Sequence, residues 1–101
     1  MTWENKTEMI RLGNAARSDE SQMKAFHDFV LEHVPSFDYQ AWDMCMNLID
    51  IIPDQIEKYP DFYSGLLEKT GSSTFSVNNI GLRAGIRLEF LKNWIDGLND
   101  Q

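Results

Sequence analysis

Apolar residues recur along this chain at the three- and four-residue intervals of helices, and no stretch alternates in the way a half-buried strand does. The clearest run is Met23, Phe26, Val30 and Val34, which share one side of a helix because 3.6 residues complete a turn. Ser18, followed by Asp19 and Glu20, is the expected start of this second helix, and Pro35, which has no N–H to donate, is its stop. Ahead of it, Thr2 can cap a first helix reaching about Arg17, with Glu4 in its first turn. Met9, Leu12 and Ala16 give that helix only a narrow apolar stripe, so the pattern places it at the periphery.

Ser36 or Asp38 is the expected cap of a third helix. Trp42, Met44, Cys45, Met46, Leu48, Ile49, Ile51 and Ile52 would cover nearly its whole circumference, which predicts a central position in the core. Pro53 and Pro60 each suit the first position of a helix and each precede an aspartate, which favours the positive dipole end. They predict two short helices, the second running through Phe62, Leu66 and Leu67 to Lys69 and ending at Gly71. Gly71 to Phe75 reads as a loop. Ser76 then caps the last and longest helix, Val77 to about Leu98, which Gly81 and Gly85 each weaken by ~1 kcal/mol relative to alanine. Either packing requires those glycines or the helix breaks there. The expectation is an all-α single domain over residues 1–101, with five or six helices and a long C-terminal one.

Drawn on a helical wheel, the last segment carries two apolar stripes. Val77, Ile80, Ala84, Leu88, Leu91, Ile95 and Leu98 form one; Leu82, Ile86, Phe90 and Trp94 form a separate row at four-residue spacing. One stripe suffices for the core. The second is either covered by the first helix or left for a protein partner, and a self-complementary row of this kind would close a homodimer.

Composition narrows the picture. Of 101 residues, 43% are apolar and 12 are aromatic, too many for a disordered acidic tail. The N-terminus lacks a basic stretch followed by an apolar run, and Asn47 and Asp50 interrupt the apolar cluster from Met44 to Ile52, so neither a signal peptide nor a membrane span is expected. Cys45 stands alone, which excludes an internal disulfide and a cysteine-rich zinc site, and makes the cytoplasm the natural compartment. The net charge of −7 is uneven. Residues 18–61 hold ten acids against two lysines, whereas the segments on either side are near neutral. That excess disfavours nucleic acid and anionic membrane as partners and favours a basic protein surface.

The chemistry-bearing residues are few. His27 and His33 sit about 120° apart on the second helix, outside the spacing that brings side chains together, and read as half-buried structural groups at the edges of its stripe. Cys45 has no cationic neighbour in sequence and reads as a small buried hydrophobe. No nucleophile elbow, phosphate loop, HExxH or calcium loop occurs, and Gly71-Ser72-Ser73-Thr74 lacks the lysine of a phosphate cradle. The expectation is therefore no enzyme, no cofactor and no metal.

Asp43, Asp50, Asp54, Glu57 and Asp61 are spaced by seven, four, three and four residues, which on one continuous helix would place them on one face. Pro53 and Pro60 break such a helix, so the face fans out. It is either a solvated surface or a negative strip that docks on a basic protein or imitates the phosphates of DNA.

Residues Val77 to Trp94, about a fifth of the chain, resemble the helix-turn-helix pattern of DNA-reading domains. Ile80, Gly81 and Ala84 fit a first helix, Gly85 the turn, Ile86 the apolar residue after it, and Leu91 and Trp94 the inward positions of a second helix. The resemblance implies that Arg87, Lys92 and Asn93 face DNA. Leu88 and Phe90 would also be exposed, and the chain is acidic, both against the pattern. The function expected from the residues is protein binding, as an inhibitor, immunity protein or antitoxin-like accessory factor. Its partner would be a basic protein such as a nuclease or a nucleic-acid-binding protein. A small helix-turn-helix regulator is the alternative.

Overall fold

The computed structural model describes residues 2–70 and 80–99, and the fold is all-α. Helix α1 spans Trp3–Ser18 and begins where the Thr2 side chain accepts from the Asn5 N–H. It runs one residue further than the sequence suggested, so Asp19, not Ser18, caps the next element. The Asp19 side chain accepts from the Ser21 N–H at the start of a 3₁₀ turn, Glu20–Gln22, which leads into α2, Met23–His33. A second 3₁₀ turn, Val34–Ser36, contains Pro35. Helix α3, Tyr39–Leu48, starts at Asp38, whose carboxylate accepts from the Ala41 N–H at 2.8 Å. Helices α4, Pro53–Lys58, and α5, Pro60–Thr70, each begin with their proline. The last, α6, is Leu82–Asn99.

Three expectations need correction. The third helix does not reach Ile52. It ends at Leu48, and Ile49 and Ile52 adopt extended backbone. Residues 49–52 then alternate, Ile49 and Ile51 buried, Asp50 and Ile52 exposed. The apparent all-round apolarity arose from placing an extended segment, whose side chains repeat every two residues, on a helical wheel.

Helix α1 is not peripheral. Met9, Gly13 and Ala16 are buried against α2 and α3, and a Cβ on Gly13 would stand 2.8 Å from Leu48 Cδ2. Small residues let the backbones approach closely, which a hydrophobicity count undervalues. Lys6 is also buried. Its ammonium reaches Asp38 Oδ2 and Gln40 Oε1, each at 3.0 Å, and so ties α1 to the start of α3.

The C-terminal helix starts at Leu82, not Val77. Gly81 has φ +94°, a conformation that L side chains rarely adopt, and its Cα lies against the Tyr39 ring, where an added Cβ would come within 2.7 Å of Cε2. The break foreseen at a glycine is thus at Gly81. The predicted loop Gly71–Phe75, the Gly71 stop, the Ser76 cap and Val77 lie outside the described residues.

One core joins these elements. Phe26, Val30, Met46, Ile56, Tyr63, Leu66, Leu88 and Leu91 are among its most enclosed members, drawn from α2 to α6. The extended segment is fastened to it by Tyr63, whose hydroxyl donates to the Asp50 carbonyl at 2.7 Å.

Candidate functional site

Helix α6 runs unbroken through Gly85, whose N–H donates to the Gly81 carbonyl at 2.9 Å. The helix-turn-helix resemblance required a turn at Gly85, so that reading is corrected: the segment is one helix from Leu82. The first stripe faces inward as expected, with Ala84, Leu88 and Leu91 buried and Ile80 and Ile95 packed on the core, although Leu98 remains exposed. Three of the four residues of the second row face outward, and the fourth, Trp94, is half-buried against the core. Leu82 is 65%, Ile86 61% and Phe90 44% exposed, so α1 does not cover them. Phe90 and Trp94 stack at 6.3 Å between ring centroids, and the Trp94 indole nitrogen is buried with no hydrogen-bond partner among the described residues. The two basic residues beside the row differ. Arg83 donates to Asn47 Oδ1 at 2.6 Å and lies 3.9 Å from Asp43 on α3, whereas Arg87 has no ion pair among the described residues.

All five acids of the predicted strip are exposed. Asp43 lies on α3, Asp50 on the extended segment, Asp54 and Glu57 on α4, and Asp61 in the first turn of α5. They fan out rather than align. Asp50 borders a cleft between α1 and α4, Glu57 one between α4 and the end of α6, and Asp61 one between α2 and α5. Among the described residues, ion pairs serve Glu8, Glu20, Asp28, Asp38, Asp43 and Asp96, while Asp50, Asp54, Glu57 and Asp61 have none. The lysine of α4, Lys58, is committed to Glu20.

Sequence reasoning missed the largest cleft described, about 620 Å³, between α2, the turn before it, and the α4–α5 junction. His27 lies in its wall and is 8% exposed. Its ring is stacked on Phe62, with centroids 3.7 Å apart and planes 5° from parallel, and meets Tyr59 edge-on at 5.0 Å. Burial pushes its pKa down from the ordinary 6.5 to about 4, against the opposing pull of Asp28, so the imidazole is neutral at pH 7. Around it, Lys24 pairs with Asp28 at 2.5 Å, and Glu20 accepts from both Lys58 and the Tyr59 hydroxyl, which together hold the Glu20 carboxyl below its usual range. The four-residue spacing of Lys24 and Asp28 was legible in the sequence. The meeting of Glu20 with α4 was not, because it spans nearly forty residues.

His33 stays apart from His27, its ring 4.3 Å from Phe29. Cys45 is wholly buried, and desolvation pushes its thiol up to about 12, far from a reactive thiolate. Among the described residues no group of three histidine, cysteine or acidic side chains could hold a metal ion, and no helix is long and apolar enough to cross a membrane. Comparison with family models, with curated proteins and with solved structures finds no match.

Proposed function

We propose that this protein is a cytoplasmic binding domain without catalytic activity, an inhibitor, immunity or antitoxin-like accessory factor that docks its acidic side on a basic protein. A nuclease or nucleic-acid-binding protein has the required surface. The observation that carries this reading is the uncompensated charge of Asp50, Asp54, Glu57 and Asp61, four acids in succession, all exposed and none with an ion pair among the described residues. Such a surface repels nucleic acid and steers a cationic partner. The exposed row Leu82, Ile86 and Phe90 is a second, apolar feature open to a partner, and Arg83 beside it lies 3.9 Å from Asp43, the acid of the predicted strip that is paired.

The test is affinity capture from native lysate over a range of salt, with the wild type beside a variant carrying Asp50→Lys, Asp54→Lys and Glu57→Lys. The wild type is expected to retain a basic protein in near-stoichiometric amount, released as salt shortens the screening length to a few ångströms, and the variant to lose it. A partner that both proteins hold with the same salt response would overturn the reading. A stable dimer in light scattering that Phe90→Glu splits into monomers would assign the α6 row to a second copy of the chain and leave the acids alone to meet the partner.

A further inference from the structure

The cleft beside His27 has a property that a packing defect does not require. His27 is nine-tenths buried, yet it makes no hydrogen bond to the described residues, and its nitrogens are not among the sealed, unpartnered polar atoms. They therefore keep access to solvent-filled space, and the ring lines both this cleft and a smaller one of about 40 Å³ beside Gln55 and Tyr63. A neutral imidazole offers one acceptor and one donor.

The charges around the cleft are nearly all spent. Lys24 is held by Asp28 and Lys58 by Glu20, which leaves Asp61 as the lining charge without an ion pair among the described residues. The net charge of the lining is thus −1 with His27 neutral. Asp61 directly precedes Phe62, the ring on which His27 is stacked, and both Asp61 and His27 line the cleft. Met23 and Leu31 give it an apolar wall. A volume of about 620 Å³ lies in the range of ligand-binding clefts, roughly 300–1,000 Å³.

A guest that satisfies these groups must be cationic, carry several N–H donors, and tolerate an apolar wall. A guanidinium does so: it is planar, weakly hydrated, and forks its donors between a carboxylate and a second acceptor. An ammonium is more strongly hydrated and fits the apolar wall less well. We propose that the cleft seats an arginine side chain of the basic partner, its guanidinium paired with Asp61 and donating to the ring of His27. This rests on the protein-binding reading and gives it a specific anchor, arginine being among the residues that dominate interface energetics. The depressed pKa of His27 supports it, since the ring stays an acceptor at neutral pH.

The experiment titrates the purified protein at pH 7 with a blocked glycyl-arginyl-glycine peptide, measuring affinity by isothermal titration calorimetry and following the histidine ring nitrogens by NMR. The same peptide with lysine in place of arginine is the comparison. Arginine peptide is expected to shift the His27 signals in a saturable way while those of His33 stay put. Asp61→Asn, an exposed change that leaves the fold intact, should weaken binding about tenfold, and His27→Phe, which keeps the stack but removes the acceptor, by a similar factor. Absence of a saturable shift, equal binding of the lysine peptide, or unchanged affinity in Asp61→Asn would each overturn the proposal. The triple lysine variant separates this from the broader reading, because Asp50, Asp54 and Glu57 do not line the cleft. Capture lost in that variant with no peptide binding by the wild type would remove the arginine seat alone. Peptide binding that depends on Asp61, with capture indifferent to the triple change, would remove the strip and keep the seat.

Discussion

His27 and Phe62 lie face to face, ring centroids 3.7 Å apart and planes 5° from parallel, joining α2 to α5 across the wall of the largest cleft described. The stack holds an imidazole that resists protonation, because burial strips the ring of most of the water that would solvate its charge.

A dependence of stability on pH is the first prediction. The folded-state pKa of about 4 lies below the ordinary 6.5, so the unfolded chain binds more protons between those values. Stability is then fully present above about pH 6.5 and falls as pH is lowered toward 4, by about 1–2 kcal/mol once solvent screening through the adjoining cleft is allowed for. The titratable groups lining the two clefts beside the ring are Lys24 and Asp28 on its own helix, Glu20 on the preceding turn, Arg17 on α1, Asp50 on the extended segment, and Lys58, Tyr59, Asp61 and Tyr63. Of these carboxylates, Glu20 is held below its usual range by its bonds to Lys58 and the Tyr59 hydroxyl. Urea unfolding at pH 7.5 and pH 5 should show the loss in the wild type and a much flatter response in His27→Phe. An unchanged pH dependence in that variant would place the sensitivity elsewhere.

Tyr63 supplies the second. Its buried hydroxyl, pushed up in pKa chiefly by desolvation, donates to the Asp50 carbonyl and pins the extended segment between α3 and α4. Tyr63→Phe keeps the ring and removes the donor, and should cost about 1–2 kcal/mol in chemical denaturation. A loss below a few tenths would mean that water replaces the bond.

At Gly81 the backbone itself is the constraint. With φ +94° and the Tyr39 ring where a Cβ would go, Gly81→Ala should destabilise by at least about 1 kcal/mol, whereas Gly97→Ala, where nothing lies within 4 Å of the added Cβ, should be neutral or stabilising. Melting temperatures of the two variants, measured side by side, test this; equal values would show that the chain reorganises freely at Gly81.

The two faces of α6 separate in the fourth prediction. Phe90→Glu changes a side chain that is 44% exposed and should leave a folded protein with nearly wild-type helicity. Leu88→Glu puts a charge at a fully enclosed position and should cost more than about 4 kcal/mol, a large share of the stability of a domain this size. Circular dichroism and near-ultraviolet spectra distinguish the outcomes. Unfolding by Phe90→Glu would mean that the outer row is core after all.

By itself the sequence determined the helices and most of their starts: Thr2, Pro53 and Pro60 act where they were expected to, and Asp38 is the one of the two expected caps, Ser36 or Asp38, that starts α3. Caps and prolines work on backbone groups within about four residues, so the signal and its effect lie in the same stretch of chain. The inward stripe of α6 was legible for the same reason. Only the tertiary structure decided that Ile49 to Ile52 leave the helix, since an apolar run suits either geometry until Tyr63 and the core fix which residues turn inward. It also decided that Lys6 is buried against Asp38 and Gln40, that the row from Leu82 to Phe90 stays uncovered, and that His27 meets Phe62. Burial and pairing across tens of residues depend on which elements pack together, and helical periodicity specifies a face without naming what lies against it.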